Sequence, residues 1–384
     1  MPTRPGLLIG RIFGIPIYLH ASWVIAFVLI TLSLETQFAH QYPQWASNWH
    51  WIVGLITSVL FFCSVVFHEL CHSVVALRYK IRVVSITLFI FGGLARIARD
   101  PDKAIQEFNI AVAGPVSSYF LAALFYGVAA LSPTNEMVKA VSLYLSGINF
   151  FLASFNLLPG FPLDGGRIFR AMVWGWTKDF SRATRVASAS GKLIAYGVIL
   201  CGIIWYGAIN HDWRSGLWTA FIGWFLLNAA QDSVAQLAVK ETLTGLRAAD
   251  VMSQEIPTVS GSVSLEDYGA EVLRTGRRCH LVTTDDRFVG MMNTSALNSV
   301  AKEEWVSTSV QAVMIPREKI LWAAPEEPLL RLLDRLLASD INQMPVMSND
   351  GENTHIVGMI SRDSILRVMQ ARAELGHAGA TSSR

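Results

Sequence analysis

Charge is what this chain has least of: Asp, Glu, Lys and Arg make up 16% of its 384 residues, against 52% hydrophobic residues. Soluble domains carry roughly a quarter charged residues, so the shortfall points to a membrane protein. The deficit is local, because nearly all the long apolar runs precede residue 240. Cationic excess is missing as well. Lys and Arg total 31 and Asp and Glu 29, which leaves no electrostatic footprint for nucleic acid. The four cysteines, Cys63, Cys71, Cys201 and Cys279, form no C-x-x-C pair and are read as unpaired. Met1 to Leu19 lacks a clear small-residue cleavage site ahead of the Ala21–Leu34 run, so the first span is expected to be retained.

The apolar runs predict six membrane spans, over about 20–36, 51–77, 105–131, 138–163, 189–209 and 216–236. Each is near the length that crosses ~30 Å of hydrocarbon. Segments 37–50 and 132–137 contain no Lys or Arg, whereas 78–104 and 164–192 hold six each. Positive-inside counting then places both termini in the cytoplasm, with Trp45, Trp49, Trp51 and Trp213 at the outer interface. Between the second and third spans, Val84–Ala98 is rich in β-formers around Gly92-Gly93 and predicts a short hairpin at the membrane. Ala113-Gly114-Pro115 in the third span predicts a kink with close helix packing.

Inside the second run lies His68-Glu69-Leu70-Cys71-His72, an H-E-x-x-H motif. Histidines four apart share one helix face, so both imidazoles can bind one Zn²⁺ while the glutamate holds a water. An ionisable cluster at membrane depth is a functional site by default. A hydrolytic zinc takes three protein ligands, and the candidate third is Asp164 in Asn156-Leu-Leu-Pro-Gly-Phe-Pro-Leu-Asp164-Gly165-Gly166-Arg167. Pro159 and Pro162 break the helix ahead of it, and the glycine pair permits close backbone approach. His68 lies ~25 Å along the second span, toward the same side as Asp164 at the end of the fourth. His20, at the start of the first span, is read as an interfacial histidine and not as a fourth ligand.

The pair of motifs resembles the site-2 protease family of intramembrane zinc metalloproteases, over the first ~240 residues. The resemblance implies His68, His72 and Asp164 as ligands of one Zn²⁺ per chain and Glu69 as catalytic base. It further implies that Asn156 contacts the substrate near the scissile bond. The substrate would be a membrane-anchored protein whose transmembrane segment is cut within the lipid bilayer, as in regulated intramembrane proteolysis. The strand-like segment before Gly92 and Gly93 could hold that substrate extended by edge pairing. The rival class is a non-proteolytic metal-binding or transport protein of the membrane, regulated by its C-terminal part. Transport calls for ionisable residues spread along a path, and the outer half offers almost none.

After Lys240 the pattern changes. Two units begin at Val251-Met252 and Val313-Met314, each running strand, helix, two strands and helix. This order resembles a tandem pair of cystathionine-β-synthase (CBS) domains, which commonly associate and often bind adenosine nucleotides. The ribose-contact pattern of that family departs here. The second unit has Gly358-Met-Ile-Ser361-Arg-Asp363, with its Asp one place early, and the first, from Gly290, has none. The expected architecture is a polytopic α-helical membrane protein with a short β-hairpin (1–240), a soluble α/β tandem CBS module (241–309 and 310–375), and a disordered tail (376–384). A cytoplasmic CBS pair would control access or assembly, as a homodimer or through a nucleotide.

Overall fold

The computed structural model describes residues 6–90, 92–285, 287–350 and 353–381. The chain divides into two compact units, one over Thr3–Leu237 and one built from Ala238 onward.

The first unit opens with a hairpin that the sequence reading passed over. Strands β1 (Leu7–Ile12) and β2 (Ile15–Leu19) pair antiparallel across Phe13 and Gly14, both at positive φ. A two-residue turn with both centres left-handed matches the twist of the strands it joins. Helix α1 (Ala21–Gln41) follows at once, and its N-cap is His20, whose Nδ1 accepts from the Ser22 amide. Helix α2 (Ser47–Arg78) is the longest among the described residues and carries both histidines of the motif. The predicted hairpin follows as β3 (Val83–Phe89) and β4 (Gly92–Ile97). Because β2 also pairs with β3, in parallel, the four strands form one sheet in the order β1-β2-β3-β4.

Helices α3 (Ala104–Leu131) and α4 (Glu136–Asn156) come next. The fourth span was expected to run to 163, but α4 ends at Asn156. A proline-containing loop then leads into a separate amphipathic helix, α5 (Asp164–Thr177). Helix α6 (Phe180–Leu200) continues as a π-helical stretch over Cys201–Ile209, and α7 runs from Trp213 to Leu243. Among the described residues five helices are long and apolar enough to cross a membrane: α1, α2, α3, α4, and α6 with its π-helical extension. The expected count of six is not reproduced. Asn228, Gln231, Asp232, Ser233 and Gln236 crowd the second half of α7, which shortens its apolar stretch.

A buried cluster of Ile15, Ile17, Leu70, Ala76, Ile81, Val83, Ile86 and Ile110 joins the sheet to α2 and α3. Leu70 lies between the two motif histidines in sequence, so the packing that fixes the sheet also fixes the rotation of α2.

The second unit consists of two halves. One half holds strands Thr258–Ser260, Cys279–Thr284 and Arg287–Asn293 with helix Leu265–Thr275. The other holds helix Leu329–Ala338, strands Gln343–Asp350 and Asn353–Ser361, and helix Arg362–Thr381. That last helix runs across the start of the expected tail, and residues 382–384 lie outside the described residues. The leading segments cross over. Ile315 pairs with Met291 of the first half, while Ser253 bridges to Met359 of the second. Correspondingly, Met314 covers Gly290 and Met252 covers Gly358. At the motif that departs from the ribose pattern, the Ser361 and Ser364 hydroxyls accept from each other's backbone amides, and Asp363 is exposed.

His280 is buried in the first half, its Nδ1 3.3 Å from the Tyr268 hydroxyl. Burial pushes its pKa below the ordinary histidine value; Glu271 opposes this and Arg277 adds to it. The unfolded chain accepts a proton near pH 6.5 while folded His280 resists it. This contribution to stability is therefore complete above about pH 6.5 and is lost as pH falls below it. Calorimetry of the full chain between pH 7.5 and 5.5 should show the transition of the C-terminal unit moving down. In His280→Gln that pH dependence should flatten.

Candidate metal centre

Helix periodicity places His68 and His72 one turn apart on the face of α2 that meets α3. Each ring is held from behind by α3. His72 Nδ1 lies 2.6 Å from the Ile110 carbonyl oxygen and His68 Nδ1 2.9 Å from Ser118 Oγ. A carbonyl only accepts, so His72 carries its proton on Nδ1, which leaves the Nε2 lone pair bare. Such partners behind the ring are what fix a metal-binding histidine in tautomer and orientation.

Asp164 reaches the same point from α5. Loop 157–163 folds back on the first turn of that helix, and a Cβ at Gly165 would collide with the Leu157 and Leu158 carbonyl oxygens. One at Gly166 would strike the Gly160–Phe161 backbone. Both positions must be glycine for the loop to close this tightly. As the first residue of α5, Asp164 also sits at the positive end of the helix dipole.

The three side chains converge. His68 Nε2 and His72 Nε2 are 3.0 and 3.1 Å from Asp164 Oδ2, and the two nitrogens are 3.2 Å apart. Tetrahedral zinc with bonds of 2.0–2.1 Å separates its donors by about 3.3–3.4 Å, close to these values. Three lone-pair donors facing one another among buried side chains repel unless a cation or a proton lies between them. Room for an ion comes from α3, where a Cβ on Gly114 would lie 2.5 Å from His68 Nε2 and closer still to His72 Nε2. These residues are the one group among those described that could hold a metal ion, and they fit zinc.

The other predicted site residues are placed around it. Glu69, partly exposed, faces Gly93 of β4, where a Cβ would stand 2.5 Å from Glu69 Cγ and 3.2 Å from Oε1. Gly92 adopts φ 127° at the start of β4. Asn156 ends α4, half-buried and at the head of the loop that leads to Asp164, but is not one of the convergent donors. The sequence reading missed the part played by α3. It took Gly114 for a packing residue and gave no role to Ile110 or Ser118. The available signal was their spacing, since 110, 114 and 118 fall on one helix face.

Gly114→Ala places a methyl group where the three donors meet. The variant should fold with a melting temperature close to wild type but retain little zinc, as measured by elemental analysis of the purified protein.

Three comparisons with known proteins bear on this arrangement. The model of Peptidase family M50 matches residues 56–143 and 133–198, and that of the CBS domain matches 310–371. "Putative zinc metalloprotease sll0528" of Synechocystis sp. is 32% identical over 368 residues, 95% of this chain and 96% of its own. "Putative zinc metalloprotease Rip3" of Mycobacterium tuberculosis is 31% identical over 372 residues, 95% and 93% of the two chains. Among solved structures, the site-2 protease from Methanocaldococcus jannaschii is 28% identical, with a TM-score of 0.41, over 59% of this chain and 94% of that one. With both halves of its metal motif brought to one point and relatives matched over nearly its whole length, this chain belongs to peptidase family M50, the site-2 protease family, and carries a C-terminal CBS domain.

Proposed function

We propose that this protein is an intramembrane zinc endopeptidase that hydrolyses peptide bonds in or near the transmembrane segments of membrane-anchored proteins. The observation that supports it most is the meeting of His68 Nε2, His72 Nε2 and Asp164 Oδ2 beside Gly114. These three residues would hold one zinc ion, with Glu69 next to them on α2. Zinc, when bound, supplies Lewis acidity that acidifies a water and polarises the peptide carbonyl. Glu69 takes the water proton as the carbon–oxygen bond forms, then delivers it to the departing amine nitrogen as the carbon–nitrogen bond breaks.

A helical substrate hides its carbonyls and must be drawn out before attack. The segment before Gly92, expected to offer the edge, is β3 and is paired on both sides, by β2 and β4. The edge strand is β4, which carries Gly93 against Glu69, so a strand laid along it would bring its backbone past the carboxylate. Gly92 and Gly93 keep that edge clear of side chains, and Asn156 is assigned the substrate backbone beside the cut. Cleavage would release a soluble regulator from its anchor. The C-terminal unit, through a homodimer or an adenosine nucleotide, would govern access or assembly. The Lys and Arg distribution assigns the cytoplasm to the loop after α2, to α5 and to both termini in a multi-pass cell-membrane protein. That arrangement requires α7 to cross the membrane despite its polar half.

The test is cleavage of a tagged single-span substrate in membranes by wild type and by Glu69→Gln, with zinc measured in both. The variant should keep its zinc and lose about 10²- to 10⁴-fold in rate, the usual worth of a general base. Equal rates would refute the assignment. Gly93→Ala should also keep zinc, but displacement of the carboxylate by about an ångström should lower turnover on the order of 10²-fold.

A further inference from the structure

One buried charge is left without a part in this chemistry. Glu107, in the first turn of α3, is 0% exposed, and its Oε2 has no hydrogen-bond partner. Its Oε1 accepts from Arg170 of α5, from Nε at 2.8 Å and also from Nη2. Arg167 Nε stands 4.0 Å from the same oxygen. The Arg170 guanidinium also lies over two rings, Phe161 of loop 157–163 at 4.9 Å and Phe180 at the start of α6 at 4.7 Å. One cation thus ties together α3, the loop ahead of Asp164, α5 and α6.

A buried ion pair is weak evidence for stability, since well-packed apolar residues of similar volume often serve as well. What it supplies is direction. A guanidinium that brings two N–H groups to one buried carboxylate oxygen, with aromatic rings against its faces, is held in place on α5 relative to α3. On α3, positions 107, 110, 114 and 118 make one stripe, and the last three orient His72, open the space for the ion and orient His68. On α5, Arg170 lies six residues past Asp164, about 9 Å along the axis.

We propose that Glu107 and Arg170 are positioning residues of the metal centre. Their bond sets α5 against the helix that orients both imidazoles, so that Asp164 Oδ2 meets the two nitrogens without rearrangement. The proposal rests on the zinc reading given above. It requires the pair to act on the metal through Asp164 and not merely on the fold.

The experiment uses the full chain in detergent, with Co²⁺ in place of Zn²⁺ as a spectroscopic probe of ligand geometry. Wild type, Glu107→Gln and Arg170→Gln are compared by Co²⁺ visible absorption, by Zn²⁺ affinity against a chelator, and by kcat and KM. In the folded variants the Zn²⁺ dissociation constant should rise about 10- to 100-fold, the range typical for partners behind a ligand. The Co²⁺ bands should shift, and kcat should fall while KM stays within about twofold of wild type. The double variant should lose no more than either single one, because the two residues act as one device. Should Glu107→Gln strand Arg170 and fail to fold, Glu107→Met with Arg170→Met removes both charges and is expected to fold with the same weakened metal site. A lower melting temperature with unchanged Co²⁺ spectrum and Zn²⁺ affinity would reduce the pair to a structural role and overturn the proposal. Wild type that retains neither metal would instead defeat the zinc reading itself.

Discussion

Two imidazole nitrogens and a carboxylate oxygen held within 3.2 Å of one another do not stay there unaided. In a low-dielectric interior their mutual repulsion is strong, and each would turn toward any nearer proton. The contact between α2 and α3 is what prevents this. Helix α3 binds the far nitrogen of each ring and leaves a missing side chain at Gly114 where the near nitrogens point. The remaining donor arrives on α5, a helix too short and too charged to be a span, so its approach is set by packing and not by lipid.

The sheet is part of the same constraint. Backbone N–H and C=O groups kept from water must be paired inside the protein. Here the segment before α1 pairs with the segment after α2, and the His20 amide donates to the Leu88 carbonyl just where α1 begins. Strands and spans are therefore fastened at their junctions. The shared cluster around Leu70 and Ile86 carries that fastening into the helix that bears the motif. Strand β4 can stand over Glu69 because β3 holds it on one side and α2 lies beneath it.

How much of this was legible in the chain depended on how local each signal was. His68 and His72 are read from a four-residue spacing, and Asp164 from a proline-glycine frame that breaks a helix and lets the backbone close up. Their meeting in space was expected from depth along the spans. Gly114 was not, because what a missing Cβ makes room for lies on another helix. Glu107 stood at the edge of a predicted span, where a charge reads as the end of the membrane. The hairpin of β1 and β2 was passed over, since what holds it in place is the pairing of β2 with β3, which lies beyond α2 in the chain. Helix α5 was hidden because Arg167 and Arg170 gave it the look of a basic loop.

The crossed leading segments of the C-terminal unit bear on how the chain is made. Met252 precedes the first half yet covers Gly358 of the second, while Met314 precedes the second yet covers Gly290 of the first. Neither half is complete by itself. During synthesis the earlier half must wait with an open face until its successor has been translated, and a ribosome that stalls between them leaves an unfinished surface for proteases to find. Quality control of the whole chain can thus be exercised on its C-terminal unit.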